Sequence, residues 1–147
     1  MILALFMNEI KQIRTYTLSD DDVDCSTYSK TVNFLANVLI NEREGHFHYI
    51  TNPIKIDGRT LILFKYRGKL IAKGIFSKKI DVEELTTNGN VYPGYYQVEK
   101  ESIEIFRCPI DLEDINSYFP VKSLSRDQIF DEEYFEEIIK MIEDFTN

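Results

Sequence analysis

Thr60-Leu-Ile-Leu-Phe-Lys-Tyr-Arg-Gly-Lys-Leu-Ile-Ala-Lys-Gly-Ile-Phe-Ser77 is the stretch that decides the fold. Two strand-like runs, 60–66 and 69–77, flank Arg67-Gly68, and this spacing predicts a tight β-hairpin. Alternation predicts one face made of Leu61, Leu63, Leu70, Ala72 and Phe76, and another made of Ile62, Phe64, Tyr66, Ile71 and Ile75. Because both faces are apolar, the hairpin belongs to a barrel or to a sheet with helices outside it. Gly74 is where such a sheet could bend or bulge.

The rest of the chain supplies helices and further strands around this hairpin. Before the hairpin we expect a buried strand over 1–7, a helix from Ser26 or Thr27 to about Asn41 that Gly45 ends, and a strand over 46–50. After it we expect a loop over 81–94 and a second hairpin formed by 95–98 and 102–107. A short helix capped by Asp111 and an amphipathic helix from about Asp131 complete the chain. The pattern predicts an α+β fold with a curved antiparallel sheet.

Length and composition are those of one globular domain, expected to span residues 1–147. The apolar amino end is too short for a secretion signal or a membrane span, so we expect a cytoplasmic protein with no membrane contact. Cys25 and Cys108 are the only cysteines and are far apart, which favours free thiols in a reducing compartment.

Charge is segregated along the chain, although its net value is −8. Residues 43–81 contain nine basic and three acidic side chains, whereas residues 111–147 contain three basic and eleven acidic ones. Segregation of this kind can create one basic and one acidic surface, each with its own class of partner.

Motifs for catalysis or metal binding are weak. His46 and His48 would face the same way on a strand, but no third ligand has a suitable spacing, and structural zinc sites usually have four. Asp20, Asp22 and Asp24 open like a calcium loop, but the required glycine and the final glutamate are missing. No nucleophile elbow, phosphate-binding glycine loop or paired CxxC motif is present. We therefore predict a nonenzymatic protein with no metal and no cofactor.

Basic side chains alternate with aromatic ones in the middle of the chain. The candidate nucleic-acid-binding residues are Asn52, Lys65, Arg67, Lys73, Lys78, Lys79, Tyr92, Tyr95 and Tyr96. Lysine and arginine neutralise phosphates, and an aromatic ring can stack on an unpaired or flipped base. The competing interpretation is that Tyr66, Phe76 and Tyr96 are core residues and that the lysines protect an edge strand.

A family resemblance follows from Asn52-Pro53, the 61–75 run, Gly94-Tyr95-Tyr96, Ser102-Ile103, Pro109-Ile110 and the closing amphipathic helix. This pattern, over roughly residues 46–145, resembles PUA-like domains, and within them the EVE and ASCH-like modules found alone or fused to HNH nucleases in bacteria and phages. The resemblance implies a small curved antiparallel β-barrel flanked by helices. It also implies a pocket, between the 60–77 hairpin and the segment leading to Tyr95 and Tyr96, that receives a nucleobase. No HNH portion is present, and the net charge is acidic where nucleic-acid binders tend to be basic.

Two functions are consistent with these features. The first is a nonenzymatic nucleic-acid recognition module, with DNA or RNA as partner and a modified or flipped base as its ligand. The alternative is an acidic protein-interaction or inhibitor module of phage type, whose helix over 131–145 imitates a phosphate backbone. Its charges are Asp131, Glu132, Glu133, Glu136, Glu137, Glu143 and Asp144, which could equally form a solvated helix face.

Overall fold

The computed structural model describes residues 9–19, 25–49, 54–56, 58–85 and 91–146, with the backbone alone for 82–85 and 91–93. The strand predicted over 1–7 lies outside these ranges. So do Asp20, Asp22 and Asp24, the residues whose spacing resembles the start of a calcium-binding loop. Of the described helices, none is long and apolar enough to cross a membrane.

Seven strands of the described part of the chain form one mixed sheet. They are β1 (Gln12–Thr17), β2 (His46–Tyr49), β3 (Thr60–Tyr66), β4 (Lys69–Leu85), β5 (Val91–Val98), β6 (Glu104–Ile110) and β7 (Ile129–Phe130). The strand order is β2-β5-β4-β3-β1-β7, and β6 also pairs with β4. All pairs are antiparallel except β1 and β3. The α+β prediction is confirmed. The described strands form an open sheet, because β2 and β7 stand at its two ends.

The central hairpin is confirmed, and its turn has the expected backbone. Arg67 and Gly68 have φ values of 49° and 79°, which matches the type I′ turn that a two-residue hairpin favours. Both faces of the hairpin are buried, but their composition differs from the prediction. Ile75 lies with Leu61 and Leu63, whereas Ala72 and Phe76 lie on the opposite face.

A β-bulge explains the exchange of faces. Phe64 pairs with Ala72 while Lys65 pairs with Leu70, so Ile71 is the extra residue on β4. One extra residue reverses the side-chain alternation beyond it. The bulge is therefore not at Gly74. Glycine at position 74 allows close packing, because a Cβ there would stand 2.5 Å from the side chain of Ile103.

The second predicted hairpin is wrong. Strands β5 and β6 both pair with β4: β6 pairs with residues 70–73, and β5 pairs with residues 76–85. The segment between them, including a 3₁₀ turn over Lys100–Ser102, crosses from one pairing region to the other. The predicted loop over 81–94 is also wrong at both ends, since β4 continues to Leu85 and β5 begins at Val91.

Helices cover both faces of the sheet. Helix α1 (Tyr28–Asn33) begins at Thr27, whose Oγ1 accepts a hydrogen bond from Lys30 N at 3.1 Å, and it continues as a π-helix over Phe34–Glu42. Gly45, with φ 79°, follows the end of this helix as predicted. Helix α2 (Leu112–Asn116) has the expected Asp111 cap, and helix α3 (Phe135–Thr146) follows a 3₁₀ turn.

The described residues form two apolar cores. The first lies under α2 and α3 and contains Leu61, Leu63, Phe106, Ile138 and Met141 among its members. The second is the aromatic core, which lies under α1 and the π-helix and includes Phe47, Phe64, Phe76, Tyr96 and Tyr16. Among the described residues, neither core includes side chains from the opposite face of β2 and β5, so a binding site can form on that face.

Candidate nucleic-acid interface

Lys65 lies inside the molecule. Its side chain is 4% exposed, and its Nζ donates a hydrogen bond to the Leu124 carbonyl at 2.6 Å. The same atom lies 3.4 Å from Asp127 Oδ1. Lys65 therefore ties the segment before β7 to the sheet, and its burial argues against a phosphate contact.

Lys73 has a similar place on β4. Its side chain is also 4% exposed, and its Nζ donates to the Ser102 carbonyl at 2.5 Å and lies 3.2 Å from Glu104 Oε1. Burial lowers the pKa of Lys73, and the neighbouring Glu104 carboxylate opposes that change. This lysine holds the 3₁₀ turn against the sheet and is not available to a nucleic acid.

Arg67 is exposed and lies in the turn that joins β3 to β4. Its guanidinium carbon lies 5.0 Å from the centre of the Tyr66 ring, and its NH2 donates to the Ser26 carbonyl at 3.0 Å. Strand β4 runs from this turn towards Lys78, which is at most about 30 Å away along the chain at 3.3 Å per residue. The first half of β4 thus separates Arg67 from Lys78.

Lys78 and Lys79 point to opposite faces of β4. A register shift between Phe76 and Lys78 places Lys78 opposite Gln97, where it is exposed. Lys79 lies on the aromatic-core side, 2.8 Å from Asp81 Oδ1. The hydrogen bond from Lys79 lowers the pKa of Asp81, and the same bond raises the pKa of Lys79. Tyr49 also donates to Asp81 Oδ1, at 2.9 Å, so Lys79 already has a partner in a cluster at the protein surface.

Tyr96 is a core residue, as the competing interpretation held. It has no exposed surface, its ring stacks on Phe76 with centroids 4.8 Å apart, and its hydroxyl accepts a hydrogen bond from Ile54 N at 2.6 Å. Asn52 lies outside the described residues. The backbone of Tyr92 pairs with Glu84 in β5, and its side chain is among those not described.

Tyr95 occupies the opposite face of β5, within a group of six residues. Strand pairing places His46, Gln97 and Lys78 in one row across β2, β5 and β4, and His48, Tyr95 and Ile80 in the next. We call these six residues the open face. Its two apolar members, Ile80 and Tyr95, belong to neither core. Lys78 is exposed and the other five are half-buried, so these side chains form a surface of the molecule.

The open face carries a ring stack. Tyr95 and His46 lie nearly parallel, with ring centroids 4.0 Å apart and an interplanar angle of 16°. His48 approaches Tyr95 at 6.0 Å with an interplanar angle of 88°. Rings that stand on a sheet surface offer π-faces to a base, and lysine in the same row can approach a phosphate.

Gln97 lies directly opposite His46 and is held by the main chain. Its Nε2 donates to the Val98 carbonyl at 3.2 Å and to the Glu44 carbonyl at 3.3 Å. Gln97 was not predicted from the sequence, and His46 and His48 were considered only as metal ligands. Their alternation in His46-Phe-His-Tyr49 was visible, but the pairing of β2 with β5 was not.

Carboxylates of the predicted acidic helix lie on the surface. Asp131, Glu132, Glu133 and Glu136 are exposed. Asp144 already has hydrogen-bond partners within the protein. Its carboxylate accepts a hydrogen bond from Tyr118 Oη, and its carbonyl accepts one from Arg107 at 2.6 Å. The bond to Asp144 raises the pKa of Tyr118 to about 12. In the part of the chain that the structure describes, no group of three or more His, Cys, Asp or Glu residues could hold a metal ion.

Comparisons of the chain with protein-family models, with curated proteins and with solved structures find no match. No family is assigned on this basis, and the PUA-like resemblance stays a proposal.

Proposed function

We propose that this protein is a nonenzymatic nucleic-acid recognition module that binds an unpaired or flipped base on the open face. The supporting observation is the Tyr95–His46 ring stack on a sheet surface outside both cores, with exposed Lys78 in the same row as His46. A base would extend the stack, and Lys78 would approach its phosphate.

The size of the open face limits what it can bind. Three strands spaced about 4.8 Å apart and two rows about 7 Å apart give a surface of roughly 10 by 7 Å. That area accommodates one or two nucleotides. The face is therefore suited to recognising a base rather than to following a long strand.

The finer architecture belongs to the same proposal. A PUA-like barrel would require the sheet to curve, and β4 has features that favour curvature: a length of 17 residues and irregular registers near Ile71, Ser77 and residues 81–84. Bulges bend a strand and increase its twist. Of the residues predicted to line the pocket, Tyr95 stays in the proposed site, and the buried Tyr96 does not.

The direct test is a titration of short single-stranded DNA and RNA, plain and base-modified, at low salt. Tyr95→Ala removes the stacking ring, and we expect a loss of about 1–3 kcal/mol in binding. Tyr28→Ala is the matched control, since Tyr28 is an exposed tyrosine on α1. Equal affinities for wild type and Tyr95→Ala would remove the open face from the proposal, and the absence of any binding would refute it.

The acidic interaction or inhibitor module is the second candidate. Its supporting observation is the exposure of Asp131, Glu132, Glu133 and Glu136 at the start of α3 and in the turn before it. Changing the three glutamates to glutamine distinguishes the candidates. A base-binding module would keep its affinity for oligonucleotides, whereas an inhibitor would lose its activity against a nucleic-acid-binding target.

A further inference from the structure

Gln97 has a fixed amide orientation on the open face. Its Nε2 donates to two main-chain carbonyls, those of Glu44 and Val98. A flipped amide would place Oε1 against the same two carbonyl oxygens, and acceptors repel one another. The hydrogen bonds therefore determine which terminal atom of the Gln97 amide is Nε2 and which is Oε1.

Neighbouring backbone makes room for this arrangement. A Cβ at Gly45 would stand 2.9 Å from Gln97 Nε2 and 2.7 Å from the Val98 carbonyl. Gly45 also has φ 79°, which disfavours other residues. Glycine at position 45 thus lets the 43–45 turn approach the strand closely enough to bind the amide.

The oxygen of Gln97 is the group left to meet a ligand. Among the described residues no hydrogen bond to Oε1 is formed, and this atom is not buried without a partner. Gln97 pairs with His46 across the strands, where Cβ atoms lie about 4.5–5.5 Å apart. A base stacked on the His46–Tyr95 rings would bring its edge within reach of this acceptor.

We propose that Gln97 determines base specificity by accepting a hydrogen bond from an exocyclic amino group, so that the open face prefers adenine or cytosine to uracil or thymine. Adenine N6 and cytosine N4 are donors, whereas uracil and thymine carry a carbonyl at the equivalent position. A carbonyl there would face Gln97 Oε1 as a second acceptor and leave both oxygens unsatisfied. This inference rests on the proposed function of the same site.

The test changes one amino group of the ligand. A labelled uridine hexamer with one central adenosine is compared with the same hexamer carrying purine ribonucleoside there, which stacks similarly but lacks the amino group. For the wild-type protein we expect the amino group to strengthen binding about three- to tenfold, as for one neutral hydrogen bond. For Gln97→Met, which lacks the acceptor, we expect equal affinities for the two hexamers.

The outcomes separate this inference from the proposed function. If neither hexamer binds, nor any other short oligonucleotide, the proposed function fails and the specificity fails with it. If the wild-type protein binds both hexamers equally, Gln97 does not read the amino group, and base binding on the open face stands. A preference for adenosine that persists in Gln97→Met would place amino recognition elsewhere and overturn the inference. The wild-type comparison does not depend on whether the variant folds.

Discussion

Lys73 was a candidate for nucleic-acid binding because of its charge, but its burial gives it a structural role. Its environment lowers its pKa, which means that the surroundings disfavour the ammonium form overall. We expect Lys73→Met to fold with a stability within about 1 kcal/mol of wild type and to bind oligonucleotides equally well, because a hydrophobic residue of similar volume often replaces a buried charge without loss.

Lys73→Glu should be destabilised by about 3–5 kcal/mol, since it would place a carboxylate near Glu104 and the Ser102 carbonyl. Urea unfolding and an oligonucleotide titration of both variants check these expectations. Reduced oligonucleotide affinity in a fully folded Lys73→Met would show that this lysine reaches the ligand.

The lowered pKa of Lys73 also predicts a pH dependence. Between its folded pKa and the ordinary lysine value of about 10.5, the unfolded chain is protonated at this position and the folded chain is not. Stability therefore rises with pH across that window, and below the folded pKa the full desolvation penalty remains. The stability of wild type relative to Lys73→Met should increase from neutral pH towards pH 10. A difference that stays flat or falls would contradict the burial of a charged Lys73.

At the scale of the element, two glycines distinguish close packing from backbone strain. A Cβ at Gly94 would stand 2.2 Å from the Ile80 carbonyl and 2.5 Å from Tyr49 Oη, where β5 pairs with β2 and β4. A Cβ at Gly68 would meet nothing within 4 Å, but φ there is 79°. We expect Gly94→Ala to reduce stability by about 2–3 kcal/mol and to weaken base binding, because overpacking must displace strand backbone.

Gly68→Ala should reduce stability by about 1 kcal/mol and leave base binding unchanged, because only left-handed strain is added. Thermal melts and oligonucleotide titrations of the two variants provide the comparison. If Gly94→Ala and Gly68→Ala changed the binding affinity equally, base binding on the open face would not depend on the packing of β5.

Local chemistry made several elements predictable from sequence. Arg67-Gly68 sets the turn of the central hairpin, and Thr27 and Asp111 cap their helices, because each of these depends on neighbours within a few residues. Strand partners are set by distant contacts. Nothing near Val98 or Glu104 in sequence indicates that β5 and β6 both pair with β4, so the second hairpin was predicted wrongly.

The candidate site was predictable only in part for the same reason. Lys78 and Tyr95 were identified by residue type, and the open face retains both. His46, His48 and Gln97 join them through the pairing of β2 with β5, which no local pattern reveals. Bulges also reversed which residues share a face, so alternation alone could not show which of Lys78 and Lys79 lies on the open face.

For the whole molecule, the distribution of charge predicts a weak salt dependence. The open face offers one lysine, and a single strand gives a slope of log K against log salt of about −0.7 per phosphate neutralised. We expect a slope between about −0.7 and −1.4 near pH 8. Binding through all five of the basic residues first proposed would give roughly −3.5. Measuring affinity from low to moderate salt decides between these values, and the steeper slope would mean that a larger basic surface exists.

Mapping the bound oligonucleotide by NMR tests the central claim most directly. Titration of a short single-stranded oligonucleotide into ¹⁵N-labelled protein should shift the amide resonances of His46, His48, Tyr95 and Gln97, together with Lys78. The resonances of residues 131–146 should stay in place. Shifts concentrated in those carboxyl-terminal residues or around Arg67, or no shifts at all, would contradict recognition of a base on the open face.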